Sequence, residues 1–247
     1  MTSRVFIIMP AYNAGAHIEA TFERIPADVR ERVARYVVVN DGSTDDTAEA
    51  IGRLGARLPN LVALHHDRNR GYGAAEKTLL AFARKEGAGA AILLHADGQY
   101  SPEKIPDMLA VLDRGEGELV QGSRILGGGA LRGGMPMYKF LANKALTAIQ
   151  NAAYGMDLAE YHSGFLAYSR RVLDEIPFDR LSDSFDIDIE IMLCAKILGM
   201  RIQEVGIPTI YAGEKSHVRP VKYGMDVLKI VRKFRRGYYD ALLKGSP

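Results

Sequence analysis

The stretch YVVVNDGSTDDT, residues 36–47, runs from an apolar block straight into turn-forming and acidic residues. Three valines after a tyrosine are strand chemistry with no polar face, as expected of a strand covered on both sides. Asn40-Asp41-Gly42 then reads as a turn. Asp45 and Asp46 stand at the start of a helical pattern over 44–57, where carboxylates suit the positive end of the helix dipole. This is a strand, a polar turn and a helix in immediate succession.

The same unit recurs on either side. Residues 4–9, 60–64, 90–94 and 118–121 read as further short strands, and 15–25, 72–86 and 102–113 as helices. Ser101-Pro102-Glu103 opens the last of these with a cap and first-turn sequence. Such alternation predicts an α/β fold, a Rossmann-like, mainly parallel sheet with helices on both faces. Beyond Ser123 the pattern changes. ILGGGALRGG, 125–134, holds five glycines in ten residues and reads as a mobile loop. A helix over 135–154, a strand over 165–168, a helix over 185–198 and a strand over 202–210 follow. The tail from Pro220 is helical and basic. With no repeat and no linker, one domain is expected over 1–219, with the helix of 220–247 either part of it or interfacial at a membrane. Met225, Leu228, Val231, Phe234 and Tyr238 form the apolar stripe behind that second reading.

Composition narrows the function classes. Of 247 residues, 47% are apolar and 25% charged, which excludes a disordered or collagen-like chain. The single cysteine, Cys194, forms no internal disulfide and fits a reducing compartment. A net charge of +2 gives no field to attract nucleic acid. No apolar run reaches the roughly 18 residues of a membrane span, and no signal-peptide pattern precedes the first strand. A cytoplasmic enzyme is expected, with peripheral contact at the inner face of the membrane if the tail is interfacial.

Polar clusters follow four strands: Pro10-Ala11-Tyr12-Asn13, Asn40 through Asp45, Asn69-Arg70-Gly71-Tyr72-Gly73 and His95-Ala96-Asp97-Gly98-Gln99. In an open parallel sheet ligands bind beyond the carboxyl ends of the strands, so these clusters predict one cleft. Neither a dinucleotide fingerprint nor a P-loop is present.

PAYN (10–13), VVVNDGSTDDT (37–47), NRGYGAA (69–75) and HADGQYSPE (95–103) together resemble family 2 glycosyltransferases of the GT-A fold. Within that family the polyprenyl-phosphate (dolichol-phosphate) mannosyltransferase-like and glucosyltransferase-like enzymes are most similar. GSR (122–124), SGFLAYSRRVL (163–173), FDIDIE (185–190) and the G-x-x-I-x-E-V-G-I-P run (199–208) extend the likeness, which reaches about residue 217.

The resemblance implies an inverting hexosyltransferase that takes a sugar from a UDP- or GDP-linked donor and passes it to a polyprenyl phosphate. Pro10, Ala11, Tyr12, Asn13, Asp41, Arg70, Gly71, Ala96, Asp97 and Gln99 would bind the donor. Asp41 would accept an N–H of the base and Tyr12 would offer it a face. His95-Ala96-Asp97 stands where the family has Asp-x-Asp, so His95, Asp97 and Gln99 would hold Mg²⁺ or Mn²⁺ against the diphosphate. Arg124, Arg132, Ser216 and His217 would meet the acceptor or its phosphate. Asp97 and Asp188 would be the catalytic carboxylates. Asp188 stands where related enzymes with hydroxyl acceptors carry a general base, so a soluble or glycan hydroxyl acceptor is the alternative. A nucleotide-sugar-binding protein with little turnover is a second alternative, motivated by His95.

Overall fold

The computed structural model describes residues 4–128, 130, 131, 133–208 and 220–245. Seven strands form one sheet: β1 (Val5–Ala11), β2 (Val33–Asp41), β3 (Leu61–His66), β4 (Ala90–Leu93), β5 (Leu119–Ser123), β6 (Leu166–Ser169) and β7 (Ile202–Gly206). Their order is β3-β2-β1-β4-β6-β5-β7. All pairings are parallel except those of β6, which runs antiparallel between β4 and β5. The helices are α1 (Ile18–Glu23), α2 (Ala27–Arg32), α3 (Thr47–Arg57), α4 (Tyr72–Lys85), α5 (Ile105–Asp113), α6 (Met137–Tyr154), α7 (Arg170–Glu175), α8 (Ile187–Ile197), α9 (Pro220–Arg235) and α10 (Tyr238–Leu243).

The period-two geometry of a strand sorts each apolar run onto both faces of the sheet. On β1, Phe6 and Ile8 join one core with Val37, Val39, Leu79, Leu80 and the buried residues of α8. Val5, Ile7 and Met9 join the other, with Tyr36, Val38, Ile51, Leu54 and Leu109. Unbroken apolar runs were therefore the correct sign of strands covered by helices on both sides, and the mainly parallel α/β expectation holds.

Several boundaries differ from the sequence reading. The helix expected over 15–25 is shorter, and α2 and α7 each add one short helix that the apolar pattern did not signal. Strand β2 begins at Val33, extended at its start by pairing with β1. Strand β7 ends at Gly206, before the expected end. The described part of the glycine-rich stretch forms turns with defined contacts rather than a loose loop. Gly127 packs so closely on Ile207 that a Cβ there would lie 2.8 Å from the Ile207 carbonyl oxygen, and Ala130 is buried.

The expected apolar stripe of the tail is divided. Val227, Ile230 and Val231 of α9 and Tyr239 of α10 are buried in the first core, and the Tyr239 hydroxyl donates to Glu190 Oε1 at 2.7 Å. Phe234 packs edge-on against Tyr154 of α6. Met225, Leu228 and Tyr238 remain exposed. The face turned to the core is thus rotated from the one read in the sequence. No helix among the described residues is long and apolar enough to cross a membrane.

Candidate active site

Parallel pairing of β4, β1, β2 and β3 brings their carboxyl ends to one edge of the sheet. There the loop after β1 is clasped to the loop after β2. Asn13, at φ 50, donates its N–H to Ser43 Oγ at 3.0 Å, and its Oδ1 accepts from the Thr44 N–H at 2.9 Å. Ala14 N–H meets Thr47 Oγ1 at 2.8 Å and Gly15 N–H meets Asp45 Oδ2 at 3.2 Å. Asn13 therefore holds the two loops together with both its backbone and its side chain. Tyr12 beside it is 44% exposed, its ring open to a ligand, while Ala11 is buried beneath.

Asp41 ends β2, opposite His66 at the end of β3. Its carboxylate is buried and already accepts three hydrogen bonds. Arg70 N–H donates to Oδ1 and Gly71 N–H to Oδ2, each at 3.0 Å, and His66 Nδ1 lies 2.6 Å from Oδ1. A carboxylate has about four acceptor positions. Three are filled from inside the fold, so the base contact expected of Asp41 has one position left. What Asp41 does within the chain is pin the turn that carries Arg70, whose side chain is exposed at the rim. Gly42 permits this close passage: at φ +65, a Cβ there would stand 2.2 Å from the backbone of Arg68.

After β4, His95, Ala96, Asp97 and Gln99 follow in a turn. Ala96 is buried, and its carbonyl accepts from the Thr21 hydroxyl at 3.4 Å. Asp97 is partly exposed, and Oδ1 accepts the Gln99 N–H at 3.0 Å. His95 is turned inward. Its Nε2 lies 3.3 Å from the Tyr72 hydroxyl, and its ring meets Tyr100 edge-on and Tyr72 at a tilt. Burial holds the imidazole below its ordinary pKa, against the pull of the Asp97 carboxylate. The contacts thus support a neutral, hydrogen-bonding His95. Among the described residues no three His, Cys, Asp or Glu side chains stand together as a metal cage. An ion here would take one carboxylate, Asp97, from the chain. Mg²⁺ commonly binds in this way, with substrate phosphates and water completing its shell.

Helix α8 faces this turn from across α4. Asp188 lies in its first turn, buried, and the Tyr72 hydroxyl is 3.2 Å from Oδ2 and 3.3 Å from Oδ1. Phe185 stacks on Tyr72 and is half open to solvent. Behind Asp188 is a residue the sequence reading missed. Glu76 of α4 is fully buried, and its Oε1 accepts from the Tyr168 hydroxyl at 2.6 Å. Burial, then the neighbouring Glu76, pushes the Asp188 carboxyl well above its usual range. Burial likewise pushes Glu76 up to about 7, against the Tyr168 hydrogen bond. The signal was present. Glu76 is a charge on the apolar face of its helix, among Ala75, Leu79, Leu80 and Ala83.

Arg124 was expected at a phosphate. Its guanidinium instead binds fully buried Glu160, through Nε at 3.0 Å and through Nη2, and Nη2 also reaches the His162 carbonyl at 2.6 Å. Asn143 of α6 donates to the same Glu160 at 3.0 Å. Arg124 thereby ties β5 to α6 and to the segment before β6. Arg132, Ser216 and His217 lie outside the described residues.

The comparisons with known proteins identify the family and the fold. The family model described as glycosyl transferase family 2 matches residues 6–177. An uncharacterised protein of Methanocaldococcus jannaschii is 30% identical over 208 residues, covering 84% of this chain and 82% of that protein. The UDP-N-acetylglucosamine–dolichyl-phosphate N-acetylglucosaminyltransferase of Methanococcus voltae is 27% identical over 219 residues, covering 84% and 86%. Among solved structures, glucosyl-3-phosphoglycerate synthase from Mycobacterium tuberculosis, in complex with Mn²⁺, UDP and phosphoglyceric acid, superposes with a TM-score of 0.68 at 20% identity. It covers 99% of this chain and 80% of that one. With the sheet order, the polar rim and the family match in agreement, the chain is a glycosyltransferase of the GT-A fold and belongs to glycosyl transferase family 2.

Proposed function

We propose that the protein transfers a sugar, with inversion, from a nucleoside diphosphate donor to a polyprenyl phosphate at a membrane surface. The observation that carries this reading is a packed pair of helices, α6 and α9, that exposes apolar and basic side chains in a domain whose strand ends carry a polar rim. Tyr12, Arg70 and Asp97 stand on the rim at the strand ends, and exposed apolar residues stand on α6 and α9. Met137, Tyr138 and Leu141 of α6 and Met225 and Leu228 of α9 are exposed, with Lys139, Lys144, Lys229 and Arg232 among them. Basic residues interleaved with apolar ones suit an anionic lipid surface. The Methanococcus voltae relative, named for a dolichyl-phosphate acceptor, supports the same acceptor class.

In this reading Tyr12 lies against the base, Arg70 meets donor phosphate, and Asp97 holds a divalent cation, Mg²⁺ or Mn²⁺. When bound, that ion supplies Lewis-acid stabilisation to the departing diphosphate. The complexes of the Mycobacterium tuberculosis structure with Mn²⁺ and with Mg²⁺ support the cation assignment. Phe185 and Tyr72 form an aromatic wall on the acceptor side. An ionised phosphate needs no base to attack the anomeric carbon.

A second reading, transfer to a hydroxyl, is supported by one feature: the Asp188 carboxyl, in contact with the Tyr72 hydroxyl, is a group able to take the proton that such an acceptor must lose. Incubation with UDP- and GDP-sugars and either polyprenyl phosphate or a panel of hydroxyl acceptors, with Mn²⁺ or with chelator, tests both readings. Metal-dependent glycolipid formation is expected. Transfer to hydroxyls alone would replace the first reading with the second, and donor binding without transfer to any acceptor would overturn both. Flotation with anionic and with neutral vesicles tests the surface assignment, with binding to the anionic ones expected.

A further inference from the structure

Glu190 of α8 is a buried carboxylate whose bonds reach the loop before its own helix and both C-terminal helices. Its Oε2 accepts the Ser182 N–H at 2.7 Å. Its Oε1 accepts the Tyr239 hydroxyl of α10 at 2.7 Å and lies 3.3 Å from Lys233 Nζ of α9. Glu190 is 2% exposed, and Tyr239 is buried with it. A charge out of water depends on its donors, and losing one leaves it uncompensated. The carboxylate and its partners therefore hold one arrangement.

The loop on the other side of Glu190 is pressed against the donor rim. Gly73 N–H donates to the Asp183 carbonyl at 3.0 Å. The approach is so close that a Cβ on Gly73 would stand 2.6 Å from the Asp183 carbonyl carbon, 2.7 Å from the Ser182 carbonyl oxygen and 2.8 Å from that of Ser184. Lys77, one turn further along α4, donates to Asp183 Oδ1 at 2.8 Å. The loop is bonded within itself, Ser184 N–H to Ser182 Oγ at 3.1 Å and Ser182 Oγ to Asp186 Oδ1 at 2.7 Å, so Ser182 and Asp183 move together. Gly73 belongs to the same turn as Arg70 and Gly71, whose amides Asp41 holds. That turn has two supports, Asp41 on one side and the 182–184 loop on the other.

We propose that Glu190 is a positioning residue for the donor rim: held by Tyr239 and Lys233, it seats the 182–184 loop against Gly73 and so sets the turn that presents Arg70. Helices α9 and α10 thereby take part in donor binding through α8. Arg70 as a donor contact is the reading made above; the link from α10 to Gly73 rests on the contacts alone. The effect falls on donor affinity, whichever acceptor is used.

The test is a double-mutant cycle in the full-length protein, with UDP and GDP as probes and calorimetry as the readout. Tyr239→Phe takes one hydroxyl from Glu190 and keeps the ring. Gly73→Ala pushes the loop off the turn, because the atoms in its way are backbone. Each should weaken binding of the diphosphate that the wild type takes by about three- to thirtyfold. The double variant should be little weaker than Gly73→Ala, since the contact through which Tyr239 acts is already broken. Glu190→Gln, which keeps an acceptor for the Ser182 N–H, should bind closer to wild type than Glu190→Ala. In turnover, Tyr239→Phe should raise donor KM and leave kcat within about twofold. Hydrogen exchange reads the link without any ligand: the Ser182 and Gly73 amides should exchange faster in Tyr239→Phe. Unchanged exchange at both amides would overturn the link. Additive losses in the cycle, or wild-type affinity in Tyr239→Phe, would overturn the positioning role. A wild type that binds neither UDP nor GDP would overturn the donor reading and the positioning role with it, while exchange still decides the link.

Discussion

His66 Nδ1 lies 2.6 Å from Oδ1 of Asp41, and the two residues are register partners at the ends of neighbouring parallel strands. With the amides of Arg70 and Gly71 on the same carboxylate, this contact fixes the turn that carries Arg70 to the cleft. Asp41→Ala would leave three donors without their acceptor. We expect it to lower unfolding free energy by about 1.5–3 kcal/mol, the range for hydrogen bonds to a charged group, and to weaken donor binding. Urea denaturation and calorimetry with UDP and GDP measure the two effects. Unchanged stability with weakened binding would mean that Asp41 acts on the ligand alone.

Asp97 is a different case, because its hydrogen bond with the Gln99 N–H is local. Asp97→Ala should cost no more than about 1 kcal/mol of stability. It should abolish metal-dependent transfer, since among the described residues no group of three or more His, Cys, Asp or Glu side chains stands ready to hold the ion without it. Turnover against Mn²⁺ concentration is the measurement. Activity near wild type with metal still required would remove Asp97 from the metal assignment.

Asp188→Asn separates the acceptor classes. With a phosphate acceptor no proton leaves, and the variant should keep most of its turnover. With a hydroxyl acceptor the loss should be about 10²–10⁴-fold. We expect the first outcome with polyprenyl phosphate. Thermal unfolding should accompany the assay, because a helix N-terminal Asp also contributes about 0.3–1 kcal/mol to stability.

Stability should depend on pH in two opposing ways. Burial lowers the pKa of His162 from 6.5 to about 4. Its Nδ1 is 2.9 Å from the Tyr223 hydroxyl, and its buried Nε2 has no hydrogen-bond partner among the described residues. As pH falls from 6.5 toward about 4, the unfolded chain gains a proton that the folded one refuses. Stability therefore falls with pH over that window, by roughly 1–3 kcal/mol. Glu76 has the opposite sign. Its folded pKa is raised from 4.5 to about 7, so the stability it adds below 4.5 is lost as pH rises through that interval. The windows overlap, and in the wild type the slopes partly cancel. Relative to wild type, His162→Phe should therefore lose stability more steeply with rising pH, and Glu76→Gln should gain it. Chemical denaturation at a series of pH values checks both, and slopes of the same sign would contradict the assignments.

Gly164 is packed against His95 and Tyr72. A Cβ there would stand 2.7 Å from His95 Nε2 and 2.9 Å from the Tyr72 hydroxyl. Gly164→Ala must push those two side chains apart and disturb Tyr72 against Asp188. The expected result is at least a tenfold fall in kcat, about 1.4 kcal/mol of barrier, with donor KM little changed. Steady-state kinetics provide the check, and wild-type kcat would show that the Tyr72–His95 contact is dispensable.

By itself the sequence determined the layered fold and the edge of the sheet on which the polar turns gather. Apolar runs without a polar face demand cover on both sides. A polar turn after each of four strands places its residues at the carboxyl ends once the strands are parallel. These are local patterns, legible because burial and turn chemistry act within a few residues of one another. Tertiary structure decided what each polar side chain does. Asp41, Arg124 and Asn13 were read as ligand contacts, yet each spends hydrogen bonds on partners 29 to 36 residues away in the chain. Glu76 acquires its meaning only because Tyr168 and Asp188, on elements 92 and more residues distant, fold against it. The antiparallel insertion of β6 and the rotated buried face of α9 belong to the same class. A residue's type and spacing record what it can bond to, but the competition among partners is resolved only when the chain has packed and water has been removed.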